Sequence, residues 1–211
     1  MTSKERNNTP PLLYGLVLAG GKSIRMGQDK GTIAWHGREQ RYYMADLLHN
    51  VCDKVFISCR PEQQSEIDPE YKTLPDTHEG SGPIIAMLSA FKAYPEAAWL
   101  ITACDLPLLD LITLRYLIHN RDIAKIATTF ESPFDTLPEP LITIWEPQSK
   151  ELLQAYYEEG FKCPRKLLIK NDGQVKILIA PNPGVLMNAN TPEDAEKAKE
   201  IIRGLHEGKP G

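Results

Sequence analysis

Apolar positions recur with two different rhythms along this chain, and the alternation between them predicts its elements. Residues 14–18 form an unbroken apolar run bounded by glycine, the pattern of a short buried strand. Over residues 41–51 the apolar side chains Tyr43, Met44, Leu47, Leu48 and Val51 return at helical spacing. Residues 55–58 predict a second strand, residues 71–74 a weaker third, and residues 99–103 another whose carboxyl end delivers Asp105. Pro83 opens a helical pattern that continues to Tyr94. Proline suits that position because a first helical turn leaves its N–H groups unpaired in any case. Helix and strand therefore alternate, which argues for a parallel sheet covered on both faces.

The second half is less regular. Residues 124–130 and 141–145 read as strands around a loop, 131–140, that contains Pro133, Pro138 and Pro140. Strands joined in this way suggest a partly antiparallel excursion beside a substrate site. Residues 150–157 and 164–170 read as helices, and residues 175–180 as a strand. The last helix begins with a hydroxyl cap at Thr191, proline at its first position and the carboxylates Glu193 and Asp194 in its first turn. It is predicted to end at Gly204. The expected fold is α/β: a Rossmann-like three-layer sandwich with a mostly parallel central sheet, mixed at one side. A single domain is expected over residues 13–204, with a disordered tail at 1–12 and a short tail at 205–211.

Composition narrows the class. A chain of 211 residues is long enough for one α/β domain with a full core, and a second domain is not expected. The net charge of −4 argues against a nucleic-acid binder, so any anion site must be local. Cys52, Cys59, Cys104 and Cys163 show neither a C-x-x-C pairing nor zinc-like spacing with histidine. His36, His49, His78, His119 and His206 form no metal-ligand spacing and read as structural or exposed. Without a signal segment or an apolar run approaching ~18 residues, the expectation is a cytoplasmic protein with reduced thiols and no membrane contact.

The local anion site is the segment Leu18-Ala19-Gly20-Gly21-Lys22-Ser23-Ile24-Arg25-Met26-Gly27-Gln28-Asp29-Lys30. Paired glycines at a strand end let the backbone turn sharply and approach a ligand closely. Bare amide N–H groups together with Lys22, Arg25 and Lys30 suit a polyphosphate. A Walker A loop would need glycine at position 16, where Leu16 stands, and the dinucleotide spacing G-x-G-x-x-G also fails.

What remains, LAGGxSxRMGxDK, resembles the nucleotidyltransferases of molybdenum cofactor biosynthesis, above all the MobA-type guanylyltransferase family. Three further segments resemble that family in its own order: Gly80-Ser81-Gly82-Pro83-Ile84-Ile85-Ala86, Thr102-Ala103-Cys104-Asp105-Leu106-Pro107 and Asn188-Ala189-Asn190-Thr191-Pro192-Glu193-Asp194. Two departures stand out. Met87 occupies a position where the family often has a second glycine. Ile57 or Ser58 falls where it has a strand-end asparagine that contacts the nucleotide.

The resemblance implies transfer of GMP from GTP to the phosphate of Mo-molybdopterin with Mg2+ as cofactor. It implies catalytic roles for Arg25, Lys30 and Asp105. Nucleotide contacts would come from Leu18, Ala19, Gly20, Gly21, Lys30, Asp76, Gly82, Pro83 and Asp105. Asp105 and Asn190 would hold the metal; Arg165, Lys166 and Asn188 would meet the acceptor. Blander readings stay open for several of these. Asp76, Asn188 and Asn190 suit ordinary turns, and Arg165 and Lys166 suit a solvated helix face. Asp110 is better placed than Asp105 to cap the helical run that follows. A cytidylyl or sugar-phosphate transferase, or an inactive nucleotide-binding homologue, would share much of this pattern. GTP and Mo-molybdopterin are the expected partners of a monomer, with transient contacts to proteins that deliver or accept the cofactor.

Overall fold

In the computed structural model, which describes residues 9–19 and 30–207, the buried apolar runs become strands of one sheet. These are β1 (Leu13–Leu18), β2 (Lys54–Cys59), β3 (Thr73–Pro75), β4 (Ala98–Ala103), β5 (Ala127–Glu131), β6 (Pro138–Trp145) and β7 (Val175–Leu178), in the spatial order β3-β2-β1-β4-β6-β5-β7. β1 pairs parallel with β2 and β4, and β2 parallel with β3. β6 runs antiparallel to both β4 and β5, while β5 and β7 are parallel. The sheet is mostly parallel and mixed at one side.

Helices cover both faces. α1 (Gln40–His49) and α3 (Leu111–His119) bury Met44, Leu48, Leu114 and Leu117 against Val17, Leu100 and Ile144. On the other face α2 (Pro83–Ala93), α4 (Ser149–Glu158) and α5 (Pro164–Lys170) pack Ile85, Phe91, Leu153 and Leu168 against Leu16, Trp99 and Trp145. Burial on both sides explains why the central strands read as unbroken apolar runs. α1 lies close over β1 because Gly15 has no side chain; a Cβ there would sit 3.0 Å from Leu48 Cδ1.

Several boundaries differ from the sequence expectation. β6 begins inside the proline-bearing loop, with Pro138 as its first residue and Pro140 within it. Both are tolerated because the β5–β6 ladder shifts register between Thr129 and Glu131, and a missing N–H costs least at a strand start or a bulge. β7 stops at Leu178 rather than 180. α6 (Pro192–Glu207) continues through Gly204, which a helix accommodates at a cost of about 1 kcal/mol relative to alanine. At the other end, ordered contacts begin before residue 13: the Leu12 carbonyl accepts from Ala98 N at 2.9 Å, and that of Pro11 accepts from Arg121 at 3.1 Å. Arg121 in turn makes a two-pronged ion pair with the fully buried Glu146, at 2.6 and 2.8 Å. None of the described helices is long and apolar enough to cross a membrane.

Candidate active site

All strands except β6 point their carboxyl ends toward one edge of the sheet, so the end of β1 and the loops after β2, β3, β4, β5 and β7 gather there. Open α/β sheets bind ligands at that edge. Leu18, Ala19, Asp76 and Asp105 lie at these strand ends, and Ala189 and Arg165 are bonded to the same edge.

Asp105 lies half-buried in the turn that follows β4. Its carbonyl accepts from Ala189 N at 2.8 Å, which brings the Asn188–Asn190 strip against the turn although more than eighty positions separate the two in sequence. Ala189 is buried with Trp35, Ala195, Ala198 and Ile202, so α6 clamps the strip in place. Asp110, not Asp105, caps α3, accepting from Thr113 N at 2.7 Å. Thr191 and Asp194 close the start of α6 reciprocally: Asp194 N donates to Thr191 Oγ1 at 3.2 Å, and Asp194 Oδ2 accepts from Thr191 N at 3.0 Å. Burial disfavours the Asp194 charge, but these bonds, the Asn190 N–H and Lys197 outweigh it and hold the carboxyl below its ordinary value. Asn188 is half-buried and Asn190 exposed.

The β1 loop re-enters the described structure at a 3-10 turn, Lys30–Thr32. Gly20, Gly21, Lys22 and Arg25 lie outside the described residues, and for Lys30 only the backbone is placed. The segment that follows is pinned to the Asp105 loop: His36 Nε2 lies 2.8 Å from the Pro107 carbonyl, and the ring stacks on Tyr43 at 3.7 Å.

Leu18, Ala19 and Asp76 are linked through Ser58, one of the two residues that stand where the family has its strand-end asparagine. Ala19 N donates to the Ser58 carbonyl at 3.3 Å, and Ser58 Oγ lies 3.5 Å from Asp76 Oδ1 as a long hydrogen bond. Ser58 is buried and thus ties together the ends of β1, β2 and β3. Burial pushes the Asp76 carboxyl above its ordinary value, against the pull of the Ser58 bond and of Arg60. Beyond Asp76, Thr77 N donates to Ser89 Oγ at 2.8 Å, fastening this loop to α2. The loop closes through Gly80 and Gly82, at φ of 110° and 103°, a left-handed region that favours glycine. Gly82 caps α2 and Pro83 starts it, as the sequence pattern predicts.

On the β6 side of Asp105 stand two of the acceptor candidates, Arg165 and Lys166. β6 runs antiparallel beside β4, so its first residues, Glu139 among them, lie at the same edge as the turn that carries Asp105. Arg165 bonds Glu139 Oε1 at 2.9 Å and Asp135 Oδ2 at 2.7 Å, so its guanidinium already has two carboxylates. Lys166 is exposed. No sequence signal could have revealed that Arg165 closes onto the β5–β6 turn, because the pairing depends on how α5 lies across β6.

The donor set suits a hard divalent cation. No cluster of three or more His, Cys, Asp or Glu among the described residues could hold a metal. Magnesium needs none, since one or two protein oxygen ligands with substrate phosphates and water complete its shell. Asp105 and Asn190 offer a carboxylate and an amide oxygen on segments held side by side by the Ala189 bond.

Comparison with known proteins places this geometry. Residues 15–175 match the family model described as the MobA-like NTP transferase domain. A molybdenum cofactor biosynthesis bifunctional protein of Synechocystis sp. is 39% identical over 184 residues, covering 86% of this chain; the chain spans about half of that relative, 52%. A molybdenum cofactor guanylyltransferase of Pseudomonas fluorescens is 30% identical over 196 residues, 89% of this chain and 94% of that protein. Molybdopterin-guanine dinucleotide biosynthesis protein A of Archaeoglobus fulgidus superposes with a TM-score of 0.74, covering 90% of this chain and 98% of that one. At 20% identity that match shows a shared fold.

Proposed function

The chain belongs to the MobA-like NTP transferase family, and on that premise we propose that it transfers GMP from GTP to the phosphate of Mo-molybdopterin. A phosphate oxygen of the acceptor bonds to the α-phosphorus of GTP, the bond from that phosphorus to the bridging oxygen breaks, and pyrophosphate leaves. The observation that carries this reading is the alignment of the chain with 94% of a guanylyltransferase.

The acceptor is an anion at neutral pH, so no general base is required. The obstacle is electrostatic: an anion must approach a phosphorus surrounded by anionic oxygens. Catalysis then consists of holding the partners in line and neutralising charge. In this reading the Gly20 and Gly21 amides, Arg25 and Lys30 take charge from the phosphates. Asp105 and Asn190 would hold Mg2+, which when bound supplies further positive charge at the phosphate oxygens. Leu18, Ala19, Asp76, Gly82 and Pro83 shape the nucleotide side. Guanine presents an N1–H and an exocyclic amine as neighbouring donors, and the Asp76 carboxylate is an acceptor suited to them. Lys166 and Asn188 face the acceptor, while Arg165 steadies the β5–β6 turn. The protein would work in the cytoplasm as a monomer, in transient contact with proteins that supply or receive the cofactor.

The test is incubation with each of the four NTPs, magnesium and molybdopterin, with the dinucleotide products separated by base. The guanine dinucleotide should dominate. A cytosine product of comparable yield would overturn the guanylyl assignment and leave a nucleotidyltransferase.

A further inference from the structure

We propose that Phe134 is the stacking platform for the fused-ring part of the acceptor, an inference that rests on the pterin reading above. The β5–β6 turn opens from the carboxyl end of β5, on the same edge as Asp105 and on its far side from Asp76. Phe134 stands at the tip of this turn with 69% of its surface exposed, although an aromatic of this size is ordinarily a core residue.

The turn is built rather than slack. Ser132 is buried; its N–H donates to the Leu137 carbonyl at 2.8 Å and its carbonyl accepts from Thr136 N at 3.0 Å. Its hydroxyl accepts from Phe134 N at 3.4 Å, and Asp135 Oδ1 accepts from Leu137 N at 3.2 Å. Arg165 then ties Asp135 to Glu139, joining turn, strand and α5. Thr136 is held at φ of 59°, a left-handed conformation that is strained for a β-branched residue. Strain of this kind persists only where the surroundings impose it, and here the imposed geometry keeps Phe134 outward at the lip of the edge.

The neighbouring chemistry matches a planar heterocycle carrying a phosphate. An exposed ring offers a face for stacking, and Lys166, next to the bracing Arg165, offers a cation for the anionic end. The nucleotide occupies the other half of the edge, around Ala19, Ser58 and Asp76, so the two substrates meet at Asp105.

The experiment uses the full chain and the fluorescent probe 6-hydroxymethylpterin phosphate, titrated while pterin emission is followed, with GTP affinity and a thermal melt as controls. Wild type should bind the probe. Phe134→Ala should bind it about tenfold more weakly, a typical consequence of deleting a stacking aromatic. Phe134→Trp should restore binding, and GTP affinity and melting should stay unchanged in both variants. Equal probe affinity for wild type and Phe134→Ala overturns the proposal, as does a wild type that binds no pterin. Phe134-dependent pterin binding in a protein that makes no guanine dinucleotide would instead overturn the proposed reaction and leave the platform standing.

Discussion

Ala189 N donates to the carbonyl of Asp105 at 2.8 Å, so the main chain of the strand-end turn anchors the Asn188–Asn190 strip. That bond does not depend on the Asp105 side chain. Asp105→Asn should keep the thermal midpoint near wild type while lowering kcat by about 10²–10³-fold, the loss typical of deleting a preorganised charge at a reacting centre. Turnover is compared at saturating GTP and magnesium. Near-normal turnover in the variant would remove Asp105 from the metal role.

Gly15→Ala tests the close contact between β1 and α1. The added methyl would meet Leu48 Cδ1 at 3.0 Å and Leu48 Cβ at 3.2 Å, tighter than most packed side chains show, so Leu48 would have to shift. Overpacking of this sort costs about 1–3 kcal/mol. Urea unfolding should show the midpoint falling with an unchanged slope, and the double variant Gly15→Ala/Leu48→Ala, with the neighbour trimmed, should lose less stability than the sum of the two single losses. Simple additivity would mean that Leu48 is not what the methyl strikes.

Local chemistry was legible in the sequence where it is set by neighbours along the chain. The hydroxyl cap at Thr191, the start of α2 at Pro83 and the cap at Asp110 all depend on residues within a turn of one another, and the structure has each of them. The sheet order was legible only as a class. Nothing in the spacing says that β7 returns beside β5 while β6 sits between β5 and β4, because strand neighbours are chosen by tertiary packing. The same limit hid the role of Ser58. Its identity shows only a departure from a family pattern, whereas its bond to Asp76 depends on β2 and β3 ending side by side. Arg165 reads in the sequence as an acceptor contact or part of a solvated helix face, and it meets two carboxylates in the fold.

The Arg121–Glu146 pair should be costly to break and cheap to replace. Glu146 is fully buried, and both of its oxygens bond the guanidinium, at 2.6 and 2.8 Å. Arg121→Ala strands a buried carboxylate and should cost about 3–5 kcal/mol. Lysine cannot reproduce the two-pronged geometry, so Arg121→Lys should recover only part of that. The double variant Arg121→Met/Glu146→Leu should be closer to wild type than Arg121→Ala, since no charge is left unmatched. Chemical denaturation of the four proteins decides it; a double variant worse than Arg121→Ala would show that the pair contributes net stability.

Acidity should affect nucleotide binding and stability in opposite senses through Asp76. Burial raises its carboxyl above the ordinary value, with Glu62 adding to the rise and the Ser58 bond and Arg60 opposing it. The folded protein therefore holds the Asp76 proton more tightly than the unfolded chain does. That proton's contribution to stability is fully present below the unfolded pKa and is lost as pH rises through the folded one. Nucleotide binding follows the other sign, because only the ionised carboxylate accepts from two guanine donors. GTP affinity should thus begin to fall at a higher pH than an ordinary aspartate, near about 4, would give. Asp76→Asn removes the titration and should bind GTP weakly with a flatter pH profile. Titration of the GTP phosphates is common to both proteins and cancels in the ratio of their affinities. Ser58→Ala withdraws a bond that favours the charge, so its loss of affinity should set in at still higher pH. Calorimetric titration from neutrality downward measures all three. If the ratio of wild-type to Asp76→Asn affinity does not change with pH, Asp76 is not the titrating group.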